Sequence, residues 1–554
     1  MFTNNKIPVY MLSLMIVSYL ILGVYGIFRM SITFDEVAHL PGGYTYIAEH
    51  DYRINSQDHP PLAKLIAALP LIFLTPDTFT YHPLWKSASQ WGYGDLFMFH
   101  NRVSHNLLLH AGRMSVLGFS ALLGIIIFVW ARSLGGAAAG LISAGLYYFF
   151  PGFIAHGSLV TTDVSLALCY FLAVYCFWKL YNDPTWKNSL LIGLSIGLTL
   201  AVKFSGILLL PSLGIFAAWW LYRKRRLKIN QTMGHIIIIC AAAFCVVAVV
   251  YQFVNMNWYL IGFKNIFQHV KSGRGSFLLG SYSTTGWWYY FPITFVLKTP
   301  SGVLLLILVS LGMTPKLIRT NPKKEALLFL SVPVAVYMVS AMRSPMQIGY
   351  RHILPIYPFI FTWIGWASVQ LTNKLKYIPL TGLLITISGV ICAQPYNLEY
   401  FNMFIGSRNN AYKYLVDSNL DWGQGLKELG RYLKLINHTQ VYLSFFGNAD
   451  PHHEGITYVP VLYYSTAKRP GDDPAGFDDS KILFAVSATQ RQCVYYEDKE
   501  IFKWLDELQP AKIIAYSIFV YDLTGNKQAL QSLKNLLLRL GNSRAARNID
   551  KRLL

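Results

Sequence analysis

Two neighbouring carboxylates, Asp35 and Glu36, stand in the run Thr33-Phe34-Asp35-Glu36-Val37-Ala38-His39. Adjacent side chains point to different sides of a helix, so one carboxylate can take a proton while the other supports it. The same string also reads as an ordinary helix start, with Thr33 as N-cap and the acids in the first turn. Glu36 and His39 form an ExxH pair. A carboxylate-bridged metal site normally needs a second such pair, and the sequence offers none, so a divalent metal is not expected.

Further polar groups recur in short strings. Asn55-Ser56-Gln57-Asp58-His59-Pro60-Pro61-Leu62-Ala63-Lys64 opens an apolar helix on two prolines, which holds His59 at a fixed entry angle near Asp58 and Lys64. His156 and Thr161-Thr162-Asp163 precede another apolar run. Thr and Asp cap helices, yet Asp163 also offers a second carboxylate to set beside Asp35. Lys203, Lys298 and Tyr350-Arg351-His352 lie at the ends of apolar runs. Snorkelling explains single cations there; an anionic ligand, phosphate above all, explains several on one face.

These groups must be positioned by a membrane protein. Of 554 residues, 54% are hydrophobic and only 13% charged, with mean hydropathy +0.38. A soluble chain carries about 25% charge. Apolar blocks long enough to cross about 30 Å of hydrocarbon fall near 8–29, 113–132, 136–154, 162–181, 187–203, 205–222, 233–253, 296–314, 326–342, 351–371 and 377–394. The first is too long, and too lacking in a small-residue cleavage site, for a cleaved signal peptide; it reads as an anchor. The fold expected is mainly α, polytopic, with about 11 transmembrane helices.

The net charge of +20 reflects topology rather than nucleic-acid binding. Cations cluster at Arg223, Lys224, Arg225, Arg226 and Lys228, at Lys316, Arg319, Lys323 and Lys324, and at Lys374 and Lys376. With eleven spans and residues 1–7 inside, all three clusters fall inside. Three polar segments, 30–111, 255–295 and 396–554, then fall outside. Ionisable groups near spans cost about 2.5–3.5 kcal/mol at the bilayer centre and tend to be functional. Asp35, Glu36, His59, Lys64, His156, Asp163, Lys203, Lys298, Arg351 and His352 all belong to the outer face on this count.

Domains divide at 1–395, the membrane domain with its loops, and 396–554, a soluble α/β domain on the outer face. In the first loop, 34–50 and 60–74 have helical apolar spacing and read as interfacial helices. Trp287-Trp288-Tyr289-Tyr290-Phe291 reads as an aromatic belt or as the wall of a groove. In the tail, 408–436 has helical periodicity, strands are expected near 440–446, 481–487 and 512–519, a turn-rich loop at 468–480, and a basic amphipathic helix at 526–554. Gly136 and Gly140 form a GxxxG suited to helix packing. Cys169, Cys176, Cys240, Cys245, Cys392 and Cys493 form no CxxC pair and read as small core residues. His452-His453-Glu454 reads as a polar loop more readily than a metal cluster. No P-loop, HExxH, GxSxG or dinucleotide fingerprint is present.

Taken in order, Asp35-Glu36, His59-Pro60-Pro61-Leu62-Ala63-Lys64, His156 to Asp163, Lys203-Phe204-Ser205-Gly206, Tyr350-Arg351-His352-Ile353-Leu354-Pro355 and Asp417-Ser418-Asn419-Leu420-Asp421-Trp422-Gly423-Gln424 resemble membrane glycosyltransferases that use polyprenyl-phosphate sugars, the protein O-mannosyltransferase and aminoarabinose transferase superfamily. The resemblance covers about residues 1–430. It implies a GT-C type fold, with an active site between the first outer loop and the membrane. The donor would be a lipid-linked sugar phosphate, needing no nucleotide or other cofactor, and the acceptor a hydroxyl on a protein, lipid or glycan. Asp35, Glu36 and Asp163 are then the candidate catalytic residues, with Asp35 as base. His59, Lys64, His156, Lys203, Arg351 and His352 are the candidate substrate-binding residues. Inversion at the anomeric carbon and a cell (inner) membrane location, with the site facing the periplasm or exterior, follow from the same resemblance.

Two other classes make different demands. A transporter or flippase calls for inverted repeats and mid-membrane ionisable groups around broken helices, whereas these polar groups sit at span ends and no repeat is found. A non-catalytic scaffold has no need of the carboxylate pair.

Overall fold

The computed structural model describes residues 6–223, 229–462 and 481–553. Lys224, Arg225, Arg226 and Lys228, and the loop expected at 468–480, lie outside the described residues. The chain is mainly helical, and among the described residues eight helices are long and apolar enough to cross a membrane: Ile7–Arg29, His105–Tyr148, Asp163–Asn182, Phe204–Arg223, Asn230–Val250, Ser301–Thr320, Ala326–Arg343 and Asn373–Ala393.

The expected count of eleven is not reached by that measure, for three local reasons. The second and third expected spans form one helical run, His105–Tyr148, broken at Gly136, where φ is 81° and ψ is −175°. A side chain at Gly136 would meet nothing within 4 Å, so its role is to break the helix, which corrects the packing role expected of it; Gly140 does pack, against Phe128. Trp186–Val202 has 17 residues, about 26 Å of helix. The stretch expected at 351–371 is a 3₁₀ turn, Tyr350–Ile356, followed by a short α-helix, Tyr357–Ser368, with Pro355 and Pro358 at the change.

Asp163–Asn182 runs through the middle of the bundle, with 83% of its apolar window buried, whereas only 17% of that of Ile7–Arg29 is. The outward faces carry large apolar side chains such as Leu14, Ile21, Phe244 and Leu308, as lipid contact requires. Cys240, Cys245 and Cys392 are also exposed, against the core role expected, while Cys169, Cys176 and Cys493 are buried.

The two ends of the central helix differ in chemistry. Its last turn places the Tyr181 hydroxyl 2.5 Å from Glu325, which also pairs with Arg223 at 2.8 Å. Lys323 donates to the Ser133 carbonyl and Lys316 to that of Gln370 at this same end. Asp163 opens the helix about 27 Å away, beside Lys203 and Arg351. Arg223, Lys316 and Lys323 therefore occupy the opposite end of the bundle from Asp163, Lys203 and Arg351, the segregation that the charge pattern implies.

The first large loop folds as helices Glu36–Ala48 and Leu62–Ala68, the latter extended by a 3₁₀ turn to Phe73, where apolar spacing predicts them. The second holds the amphipathic helix Met256–Ser272 and a small hairpin of β1 (Ser276–Leu278) and β2 (Ser281–Ser283). The tail forms a five-stranded sheet of β3 (Gln440–Ser444), β4 (Thr457–Pro460), β5 (Leu483–Ser487), β6 (Lys512–Ile514) and β7 (Ile518–Asp522) in the order β4-β3-β5-β7-β6. β3 pairs parallel with β4 and β5, and β7 antiparallel with β5 and β6.

Three readings of the tail change. The run at 512–519 is two strands joined by a turn with positive φ at Ala515 and Tyr516. At 408–436 the α-helix is confined to Leu426–Leu435, after 3₁₀ turns at Arg408–Lys413 and Asp417–Asn419, because Asp417 (φ 55°) and Gly423 (φ 94°) break the path before it. The terminal helix is two, Lys527–Arg539 and Ser543–Leu553, parted at Gly541.

Residues 397–424 pack into the membrane domain. Asn402 donates to the Val296 and Thr299 carbonyls, Ser31 Oγ donates to the Gly423 carbonyl at 2.8 Å, and the Phe34 amide to that of Trp422 at 2.9 Å. Arg29 pairs with Glu428 at 2.8 Å. The tail is thus fastened to the end of the first span and to the residues just before Asp35.

Candidate active site

A cavity of about 610 Å³ lies where these segments meet. The first loop contributes Asp35, Asn55, Asp58, His59, Gln90 and Trp91 to its wall. Met256–Ser272 contributes Phe263, Phe267 and His269, and the membrane helices add Lys203, Phe204, Leu208, Tyr337, Arg351 and His352. Phe291, the last of the aromatic run before the helix Ser301–Thr320, is also in the wall, whereas Trp288 is exposed. The run thus divides between groove wall and belt.

Arg351 is the centre of the charge arrangement. Its Nη1 stands 3.0 Å from Asp35 Oδ2 and 3.5 Å from Asp163 Oδ2, its Nε donates to Ser418 Oγ at 3.1 Å, and its guanidinium lies 4.1 Å over the Trp422 ring. Asp163 holds Lys203 Nζ at 2.6 Å with its other oxygen. One buried carboxylate therefore holds two cations side by side at the cavity wall. Asp35 and Asp163 are far apart in sequence, and the guanidinium bridges them.

Glu36 does not reach the cavity. It is fully buried, paired with Arg113 Nη2 at 2.6 Å, and accepts from the Thr33 and Val160 amides and the Thr33 hydroxyl. Burial alone would raise its pKa; the Arg113 guanidinium and these N–H donors overcome that and hold the carboxyl below its usual range. Glu36 is a positioning residue rather than a catalytic one, fixing the turn that presents Asp35. His39 lines the cavity but gives Nδ1 to the Val160 carbonyl, while Glu36 is turned to Arg113, so the ExxH pair does not converge on one point.

Lys64 is likewise corrected from ligand binder to buried strut. Its Nζ donates to Asn55 Oδ1 and to the carbonyls of Asn55 and His59, and its pKa is pushed down to about 7 by burial, with Asp58 opposing. The helix carrying it crosses Glu36–Ala48 so closely that a Cβ on Gly43 would collide with the Lys64 carbonyl. His156 also lies off the cavity, packed edge-on to Tyr350 at 5.5 Å. Lys298 is buried against the Leu398 and Asn419 carbonyls. His59 and His352 do line the cavity. Desolvation, reinforced by Lys203, keeps the His59 ring well below its ordinary pKa and so neutral at neutral pH. His453 of the tail packs on Phe99 and His105 at the end of the first loop, and among the described residues no cluster of three metal-ligating side chains occurs.

Residues 102–251, which carry Arg113, Asp163 and Lys203, match the family model described as dolichyl-phosphate-mannose-protein mannosyltransferase. A curated relative, the undecaprenyl phosphate-alpha-4-amino-4-deoxy-L-arabinose arabinosyl transferase of Wigglesworthia glossinidia brevipalpis, is 23% identical over 312 residues, 50% of this chain. Both matches point the same way as the sequence strings, toward proteins named for transfer from polyprenyl-phosphate sugars. The chain matches about half the length of that relative, 53%. Among solved structures, ArnT from Cupriavidus metallidurans bound to undecaprenyl phosphate aligns over 93% of this chain and 98% of its own, with TM-score 0.47 and 14% identity. The apo oligosaccharyltransferase of Archaeoglobus fulgidus aligns over 71% of this chain and 56% of its own, with TM-score 0.48 and 10% identity.

Several cavity residues carry no strong sequence signal. Asn55 and Asp58 stand beside the His59-Pro60-Pro61 string, but Gln90, Trp91 and the helix Met256–Ser272 do not belong to any motif. Ser418 and Trp422 were visible as part of the Asp417–Gln424 string, without any sign that they touch Arg351.

Proposed function

We propose that the chain transfers a sugar from a polyprenyl-phosphate carrier to an acceptor hydroxyl, with the cavity as its active site. The observation that carries this reading is the pairing of Lys203 and Arg351 through Asp163 at the cavity wall, with Asp35 on the same guanidinium. Two cations held by a buried carboxylate suit a phosphate. Apolar side chains beside them, among them Phe204, Leu208, Phe263 and Phe267, suit the isoprenoid chain.

The acceptor oxygen forms the new bond to the anomeric carbon as the bond from that carbon to phosphate oxygen breaks. Asp35 takes the acceptor proton. The charge developing on the departing phosphate falls on Arg351 and Lys203. Asp163 is a positioning residue here, since it holds both cations without lining the cavity. Phosphate entering beside Arg351 competes for the guanidinium with Asp35 and frees its carboxylate to act as base. Attack opposite the phosphate inverts the anomeric centre. No step draws on a nucleotide or a metal. On this reading the protein resides in the cell (inner) membrane with the cavity toward the periplasm or exterior, which the positive-inside count of the cation-rich links supports.

The test is sugar transfer by purified protein reconstituted in lipid, offered a panel of radiolabelled polyprenyl-phosphate sugars. Transfer or slow release of free sugar by wild type, lowered at least about 100-fold in a folded Asp35→Asn variant, supports both class and base. Release undiminished in Asp35→Asn moves the base elsewhere, and failure to consume any donor sinks the transferase reading.

A further inference from the structure

The cavity wall carries two chemically distinct groups of side chains. Lys203 and Arg351 make one group cationic, and the first loop supplies the other through a chain of hydrogen bonds that starts inside the protein. Buried Lys64 donates to Asn55 Oδ1 at 3.1 Å. Asn55 Nδ2 donates to Gln90 Oε1 at 2.6 Å and to Asp58 Oδ2 at 3.3 Å, and Gln90 Nε2 donates to Asp58 Oδ2 at 2.8 Å. Every donor in the chain points toward Asp58, so the amide orientations are fixed by the ammonium at its root. The carboxylate at its end lines the cavity, and among the described residues no cation pairs with it.

We propose that Asn55, Asp58 and Gln90, with Trp91 beside them, form the subsite that reads the sugar ring of the donor, and that it takes a neutral hexose or pentose through neighbouring hydroxyls. The proposal rests on the carrier-dependent transferase reading above. A carboxylate has about four lone-pair positions. Both amide N–H groups fall on Oδ2, leaving acceptor positions for two hydroxyl donors. An acceptor fixed in place discriminates between a hydroxyl and its absence, because loss of one partner leaves a desolvated polar group unpaired. Trp91, next in sequence to Gln90, also lines the cavity, and its ring packs edge-on to Phe34 at 5.2 Å. An aromatic face next to fixed acceptors suits a ring with apolar C–H faces and a polar edge. The phosphate is not drawn here: a carboxylate without a cation repels it, while Lys203 and Arg351 attract it.

The experiment measures two quantities in the full-length, lipid-reconstituted protein: affinity for sugar-free polyprenyl phosphate, and kcat/KM for a polyprenyl-phosphate hexose against its monodeoxy analogues. Wild type should prefer the parent sugar over at least one deoxy analogue by about tenfold or more. Asp58→Asn should bring that ratio close to one while leaving the affinity for polyprenyl phosphate unchanged. Gln90→Met, at a partly exposed position, should reduce the ratio in the same direction, and thermal unfolding checks that both variants fold. Loss of polyprenyl phosphate binding in Asp58→Asn, or an unchanged ratio in both variants, overturns the subsite. A wild-type preference for an amino-sugar donor that disappears in Asp58→Asn overturns the neutral sugar. Carrier binding that depends on Arg351 but not on Asp58 keeps the carrier reading standing whichever way the ratio falls, and its absence in wild type overturns both.

Discussion

Arg351 donates to Asp35 at 3.0 Å although 316 residues separate them, so the candidate base and the candidate phosphate ligand share one contact. The guanidinium is held on its other sides by Ser418, Asp163 and the Trp422 ring. Arg351→Gln is expected to lower kcat/KM for donor by about 100-fold or more and to weaken polyprenyl phosphate binding. Arg351→Lys keeps the charge but not the planar fork that meets several partners at once, so it should recover only part of the loss. Equal activity of wild type and Arg351→Gln would remove the phosphate role.

Glu36 and Asp35 should behave oppositely although they adjoin. Glu36→Gln leaves Arg113 buried with half its partner missing, an arrangement that costs about 3–5 kcal/mol. A clear fall in the thermal midpoint in detergent is expected, with activity lost through unfolding of the turn at residues 30–36. Asp35→Asn, at a partly exposed side chain, should unfold near the wild-type temperature while losing transfer. Matching midpoints for the two variants would refute the division of labour.

Much of this arrangement is legible in the chain itself. The order of apolar blocks and cations separates the Tyr181–Glu325 end from the Asp163–Lys203 end, because hydrocarbon tolerates little else. Helices at Glu36–Ala48 and Leu62–Ala68 follow from local apolar spacing, as do the strands at Gln440–Ser444 and Leu483–Ser487. Residue type could not separate the roles of Glu36 and Asp35, or show that Lys64 turns inward. Those depend on partners such as Arg113 and Asn55, brought close only by tertiary packing. Gly136 misled for a related reason: a glycine pair four apart fits close packing and a backbone break equally well. The participation of Gln90 and Trp91 leaves no periodic or motif signal, since each merely has to arrive at one cavity wall.

Gly43→Ala tests whether the inward-facing strut is coupled to the cavity. The added methyl would strike the Lys64 carbonyl, which belongs to backbone and cannot rotate away. Overpacking of this kind costs about 1–3 kcal/mol. Separation of the two loop helices would also displace Lys64 and the Asn55–Asp58 chain rooted on it. The expected result is a lower thermal midpoint with a raised KM for donor. A wild-type KM in a destabilised variant would show that the strut serves stability alone.

Asp421 makes the fold sensitive to pH from outside the bundle. Its carboxylate is fully buried, accepts from the Thr489 amide at 2.8 Å, and has its pKa pushed up from 3.8 to about 7, chiefly by burial. The folded state therefore holds the proton more tightly than the unfolded chain. Between about pH 4 and pH 7 the folded form binds more protons, so stability falls as pH rises through that window and levels off above it. The displacement corresponds to about 4 kcal/mol if taken in full. Glu399, raised to about 7 by burial, works in the same direction. Asp421→Asn keeps an acceptor for the Thr489 amide and cannot ionise. The variant should gain thermal stability relative to wild type as pH is raised from 4 to 7, with the Glu399 part of the slope remaining. Parallel stability curves for the two proteins across that window would show that Asp421 is ionised in the fold and that its burial is relieved by another partner.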